Sequence, residues 1–135
     1  MEKDSLNSEK QLLLVDLCGR LPYGVKVRTS VGGEIRNDKE QLNFAQLSLF
    51  EAGHEDVKPY LFPLSSMTEE QKKEYNFWKH EVPVCHYEYG DVVEEVELFD
   101  SPESFEYLIE NHFDYRGLIE KGLAIDATNL DVYNV

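Results

Sequence analysis

His112, Asp114, Tyr115 and Arg116 form the densest run of groups in this chain that could hold a ligand or move a proton. An imidazole beside a carboxylate suits general acid–base work, provided both reach a substrate proton. An arginine grips phosphate or carboxylate through paired N–H donors. Each residue also has a plainer role. His112 follows Leu108 by one turn on an apolar stripe, the setting of a packed core histidine, and Asp114 invites a bond to the turn after it. A second candidate is the stretch Lys58-Pro59-Tyr60-Leu61-Phe62-Pro63-Leu64-Ser65-Ser66. Lys58, Tyr60, Ser65 and Ser66 bring a cation, a phenol and two hydroxyls to a helix start, where backbone N–H groups can cradle an anion. A packed edge segment whose serines only cap the helix is the alternative. A third group is Cys85, His86 and Glu88. Zinc needs three or four converging ligands, yet neighbours on a strand point to opposite faces, so no metal site and no cofactor is expected. Neither serine lies in a Gly-x-Ser-x-Gly context. Gly32-Gly33 lacks the pattern of a nucleotide-phosphate loop.

Charge narrows the function classes. The 135 residues carry a net charge of -14. Between Lys79 and Arg116 there is no Lys or Arg, while Glu81, Glu88, Asp91, Glu94, Glu95, Glu97, Asp100, Glu103, Glu106, Glu110 and Asp114 accumulate. Such a field repels phosphate backbones and anionic membranes and attracts basic partners. Direct nucleic-acid binding and a membrane partner are therefore not expected. The longest apolar run, Leu12-Leu13-Leu14-Val15, is far too short to span a bilayer. The start MEKDSLNSEK lacks the features of a signal peptide, which points to a cytoplasmic protein with Cys18 and Cys85 reduced and buried. On the strand within the acidic stretch, Glu95 and Glu97 project together while Glu94 lies on the opposite face. Glu94, Glu95 and Glu97 are either a solvated surface or an acidic surface that docks a basic protein.

The elements that must position these groups follow from periodicity. With 41% hydrophobic residues the chain can bury one core, so a single α+β domain over 1–135 is predicted, frayed over 1–7. Asn7 or Ser8 starts a helix whose stripe is Leu13, Leu14, Leu17, Cys18 and Leu21. The period then changes to two: Val25, Val27, Thr29 and Val31 share a strand face, and Gly32-Gly33 turns into a return strand that breaks over 37–40. Leu42 to Phe50 reads as a third strand, and Val57 to Leu64 as an edge strand because of Pro59 and Pro63. Ser66 or Thr68 caps the next helix. A hairpin pairs Val84–Tyr89 with Val92–Phe99 about a Gly90-Asp91 type II′ turn, with Val92, Glu94, Val96 and Leu98 facing inward. Ser101-Pro102-Glu103 opens the best-patterned helix, and Tyr115–Ile119 makes a second short helix or turn. The architecture is an N-terminal helix, a small bent antiparallel sheet made of a meander and a second hairpin, and C-terminal helices.

Three segments, 16–27, 56–70 and 111–124, together resemble a family of small uncharacterised proteins encoded by phages and mobile elements of anaerobic gut bacteria. The resemblance implies no catalytic residue. It implies an accessory protein made inside a bacterial cell and acting on host machinery. The expected function is non-enzymatic binding, such as a counter-defence factor that sequesters a host protein with a basic surface or a small anionic, nucleotide-type signal. The alternatives are a nucleotide-directed hydrolase using His112 or His86 with a carboxylate, and a structural subunit or homo-oligomer.

Overall fold

The computed structural model describes residues 2–133, with side chains from Ser8 onward. The fraying expected over 1–7 concerns residues outside those described in full. The fold is α+β. In chain order the elements are α1 (Glu2–Arg20), β1 (Lys26–Val31), β2 (Glu34–Gln41), α2 (Phe44–Glu51), β3 (Asp56–Pro63), α3 (Glu69–Phe77), β4 (His80–Glu88), β5 (Asp91–Phe99), α4 (Pro102–Glu110), β6 (Phe113–Asp114) and β7 (Ile125–Asp126). They fall into two compact units, Met1–Ser66 with Ile109–Val135, and Met67–Leu108.

The discontinuous unit is built on a mixed sheet. β1 pairs antiparallel with both β2 and β3. β3 then takes β7 in parallel at Tyr60–Leu61 and β6 at Phe62–Pro63. The two-residue period of β1 works as predicted: Val25, Val27 and Thr29 are fully buried. The two valines join Leu13, Leu17, Leu42, Leu47, Phe50, Val57, Leu61 and Leu118 in the main core. Gly32 and Gly33 both take positive φ, 60° and 83°, the backbone of a type I′ turn.

Several local expectations change. Leu42–Phe50 is not a strand. Asn43 accepts from the Gln46 amide while the Gln46 side chain accepts from the Asn43 amide, so a capping box starts α2. Leu47 and Phe50 form its buried helical face, while Phe44 and Leu49 stay exposed. β3 is interior, not an edge. Pro59 precedes the pairing with β7 and Pro63 ends the pairing with β6, so neither interrupts a continuous ladder. β2 runs on through 37–40, but its register slips there and Lys39 adopts a φ of 57°. This bulge turns Asp38 towards β1 and β3. Of the short helix or turn expected over 115–119, the structure has the turn. Cys18 and Cys85 are exposed free thiols, not buried ones. On α1 the sheltered stripe is Leu13, Asp16, Leu17 and Arg20, which leaves Cys18 on the opposite side.

A second small cluster, Tyr60, Ala127 and Val132 with Phe62, Ile125 and Tyr133, covers the other face of β3. Within it the Tyr133 hydroxyl accepts from the Lys26 amide at 2.8 Å and donates to the Tyr60 carbonyl at 2.7 Å. It joins β1 and β3 just beyond the end of their ladder. Tyr133→Phe removes that bridge and strands one donor and one acceptor, at a cost of about 1–3 kcal/mol. Urea unfolding is expected to show this loss with an unchanged m-value, because the surface exposed on unfolding is unaltered.

The contiguous unit is α3, β4, β5 and most of α4. Thr68 and Gln71 form the capping box of α3, as predicted, while Ser66 instead closes the preceding turn through the Pro63 carbonyl. Ser101 and Ser104 bond each other at the start of α4. β4 and β5 make a two-stranded sheet of their own.

Candidate functional site

α1 delivers Asp16 and Arg20 to one side, four residues apart and thus one turn apart. Arg20 Nε lies 2.7 Å from Asp16 Oδ2, and an Arg20 terminal nitrogen donates to the Phe113 carbonyl at 2.6 Å. Arg116 reaches the other Asp16 oxygen at 3.2 Å. One carboxylate thus serves two guanidinium groups. Arg20 is 0% exposed and Asp16 2%. The Tyr115 ring lies beneath both cations, 4.8 Å from the Arg116 guanidinium and 5.8 Å from that of Arg20, adding cation–π attraction. Three of the sequence candidates, His112, Tyr115 and Arg116, are therefore brought together, around a buried pair that sequence reasoning missed. The i,i+4 spacing of Asp16 and Arg20 was the available signal.

The cluster is largely engaged, but two of its buried nitrogens, Arg20 Nη1 and His112 Nδ1, have no hydrogen-bond partner among the described residues. Asp114 accepts from the amides of Arg116 and Leu118 through one oxygen and from Ile119 through the other, so its carboxylate holds the turn. His112 is not on the helix stripe: it follows α4 with φ 63°, a left-handed conformation that histidine tolerates better than most side chains. Its ring stacks on Tyr133, centroids 3.9 Å apart. Burial, and secondarily the charge of Arg20, push its pKa down to about 4. A base that weak, with its carboxylate neighbour occupied, is poorly placed for proton transfer at neutral pH.

The remaining candidates lie elsewhere. Tyr60 donates to Asp38, which also receives Arg28 Nε at 3.1 Å. Burial and the Asp38 contact raise the Tyr60 pKa, while the hydrogen bond from Arg28 lowers that of Asp38. Ser65 and Ser66 sit in a 3-10 turn, Leu64–Ser66. Lys58 lines a cleft of about 530 Å³ floored by Leu13, Phe50 and Val57. Its charged lining, Lys10 and Lys58 against Glu9, Glu55 and Asp56, has a surplus of negative charge. Lys10 is held over the Phe50 ring and bonded to the Glu51 carbonyl. The cations proposed for an anion site are thus dispersed or engaged.

The carboxylates of the second unit are arranged differently. The β4–β5 register pairs Val84 with Glu95 and Val82 with Glu97 on one face, and Pro83 with Val96, Cys85 with Glu94, Tyr87 with Val92 and Glu81 with Leu98 on the other. Glu95 and Glu97 share a face and Glu94 lies opposite, as the alternation predicts. The face expected to turn inward is nevertheless open: Tyr87 is 81% exposed, Val92 60%, Val96 65% and Leu98 43%. The turn is Tyr89–Gly90, with φ 52° and 86°, hence type I′ and not the Gly90-Asp91 type II′ turn expected. The His86–Glu88 pair, at 3.8 Å, lies on the surface.

Among the described residues, no three His, Cys, Asp or Glu side chains are grouped to hold a metal. No helix there is long and apolar enough to cross a membrane. In comparison with known proteins, no family, no curated relative and no solved structure matches the chain.

Asp16→Ala leaves Arg20 buried with its charge uncompensated, for an expected loss of about 3–5 kcal/mol. Arg116→Ala, which leaves the Asp16–Arg20 pair intact, is expected to cost far less; chemical denaturation of the two variants checks the ranking. The His112 pKa, lowered from 6.5 to about 4 in the folded chain, means that the unfolded state binds the proton first as pH falls. Stability is therefore full above pH 6.5 and declines towards pH 4. His112→Asn, which keeps a residue tolerant of positive φ, flattens that decline in denaturation midpoints measured across the same window.

Proposed function

We propose that this chain is a non-catalytic binding protein that captures a basic protein partner on the β4–β5 hairpin. One observation carries the reading: the hairpin presents Glu81, Glu88, Asp91, Glu94, Glu95 and Glu97 with no Lys or Arg, on a two-stranded sheet whose two faces are both open. Solubility alone explains the carboxylates but not the apolar residues exposed beside them. Valine, leucine and tyrosine side chains next to fixed negative charge suit a partner surface that is both basic and apolar. Charge complementarity then sets association rate and partner choice, while apolar burial supplies the anchor.

The competing capture of a small anion has less support. Arg20 and Arg116 share Asp16, and the charged lining of the cleft beside Lys58 is negative overall. In the genomic setting that the phage and mobile-element resemblance implies, the captured partner is a host protein of a bacterial cell, and the outcome is sequestration of that protein.

The test combines Glu94→Gln, Glu95→Gln and Glu97→Gln in one variant and uses a lysine-rich peptide as probe. At low salt the wild type is expected to bind about tenfold more tightly or better than the variant, and the two converge as added salt screens the charges. Equal affinity at every salt concentration overturns the proposal.

A further inference from the structure

We infer that the partner segment joins this hairpin as a third strand along the outer edge of β5, and that the recognised segment alternates basic and apolar residues. The inference deepens the binding role proposed for the hairpin and rests on it.

The two edges of the hairpin are not equivalent. A two-residue type I′ loop makes Glu88 and Asp91 the hydrogen-bonded closing pair, and bonded pairs then recur at every second residue. In β4, His80, Val82, Val84, His86 and Glu88 therefore direct their backbone groups towards β5. Glu81, Pro83, Cys85 and Tyr87 direct theirs outward. Pro83 has no N–H, so it costs the hairpin nothing and interrupts the outer edge of β4 at its middle. On β5 the outward groups belong to Val92, Glu94, Val96 and Leu98, every one with an amide N–H. Among the described residues no further strand pairs with either edge. An intact row of unpaired donors and acceptors is a template for strand addition.

The side chains along β5 specify what can be added. A strand laid there places alternate residues beside Glu95 and Glu97, flanked by Val93 and Phe99, on one face, and the others beside Val92, Val96 and Leu98, with Glu94 among them, on the opposite face. Lys or Arg suits the first row and aliphatic residues suit the second, through the cross-strand pairing that stabilises sheets. A second copy of this chain does not fit: two β5 edges side by side set glutamates against glutamates, and like charges directly opposed destabilise a sheet. The occupant is thus an extended basic and apolar segment of another protein.

The experiment uses the isotopically labelled full chain and a peptide as long as β5 that alternates Lys and Val. A second peptide of identical sequence is N-methylated at two adjacent central residues, which blocks both of its edges without altering charge. The unmodified peptide is expected to slow hydrogen exchange at Glu94, Val96 and Leu98. N-methylation, or Val96→Pro in the protein, is expected to weaken binding about tenfold or more. The wild type with the two peptides decides the matter even where Val96→Pro disturbs the hairpin. Equal binding of the two peptides, together with weakening by Glu95→Gln and Glu97→Gln, overturns strand addition and leaves the acidic docking role standing. Binding of neither peptide overturns both.

Discussion

Asp16 is shared by two cations at once, and the discontinuous unit is organised around that sharing. Its two oxygens face Arg20 and Arg116, side chains far apart in the sequence. Arg20 in turn holds the Phe113 carbonyl, which ties the end of α1 to the strand that β3 receives at its far end. A fully sheltered arginine is costly to desolvate; Arg20 offsets that cost through Nε and one terminal nitrogen, while its Nη1 has no partner among the described residues. Once α1 has placed Asp16 and Arg20 on its sheltered stripe, segment 113–116 is drawn into register by the donors and acceptors that Arg20 and Asp16 still lack. Asp114 then spends its carboxylate on three amides of the following turn. Residues adjacent in sequence thus take separate structural roles: Arg116 shares Asp16 with Arg20, and Asp114 holds the turn.

The second unit follows the opposite logic. The carboxylates of its hairpin have no Lys or Arg beside them there, and Tyr87, Val92, Val96 and Leu98 of the hairpin are exposed, although Met67, Tyr107 and Leu108 of the same unit are buried. A two-stranded ribbon is marginal by itself. β4–β5 has a tight type I′ turn at one end, and at the other the Ser101 hydroxyl donates to the Trp78 carbonyl. The construction holds the ribbon's shape and leaves its surfaces uncommitted. Fixed negative charge on an open sheet works against its pairing with copies of itself.

Much of this was legible from spacing alone. The inward face of β1, the Gly32-Gly33 turn, the Thr68 cap of α3 and the assignment of Glu95 and Glu97 to one face all follow from local periodicity. The failures share a cause. Leu42–Phe50 has strand-like composition, but the Asn43–Gln46 box commits it to helix before packing is considered. Pro59 and Pro63 mark β3 as an edge only if its partners are continuous; two short parallel partners meeting it at different residues remove that objection. β6 and β7, two residues each, are products of tertiary placement and have no local signature. The Asp16–Arg20 pair escaped notice because a charged pair on a helix is ordinarily solvent-facing, and only the burial of α1 on that side changes its meaning.

The phenol at position 133 closes a seam that opens at position 26. A ribosome emits Lys26 long before Tyr133, so the sheet waits unsealed throughout most of elongation, while α3, β4, β5 and the start of α4, contiguous in sequence, already have every piece they require. Contacts between distant positions are the slow ones to form. Synthesis order therefore favours the contiguous unit maturing before the discontinuous one.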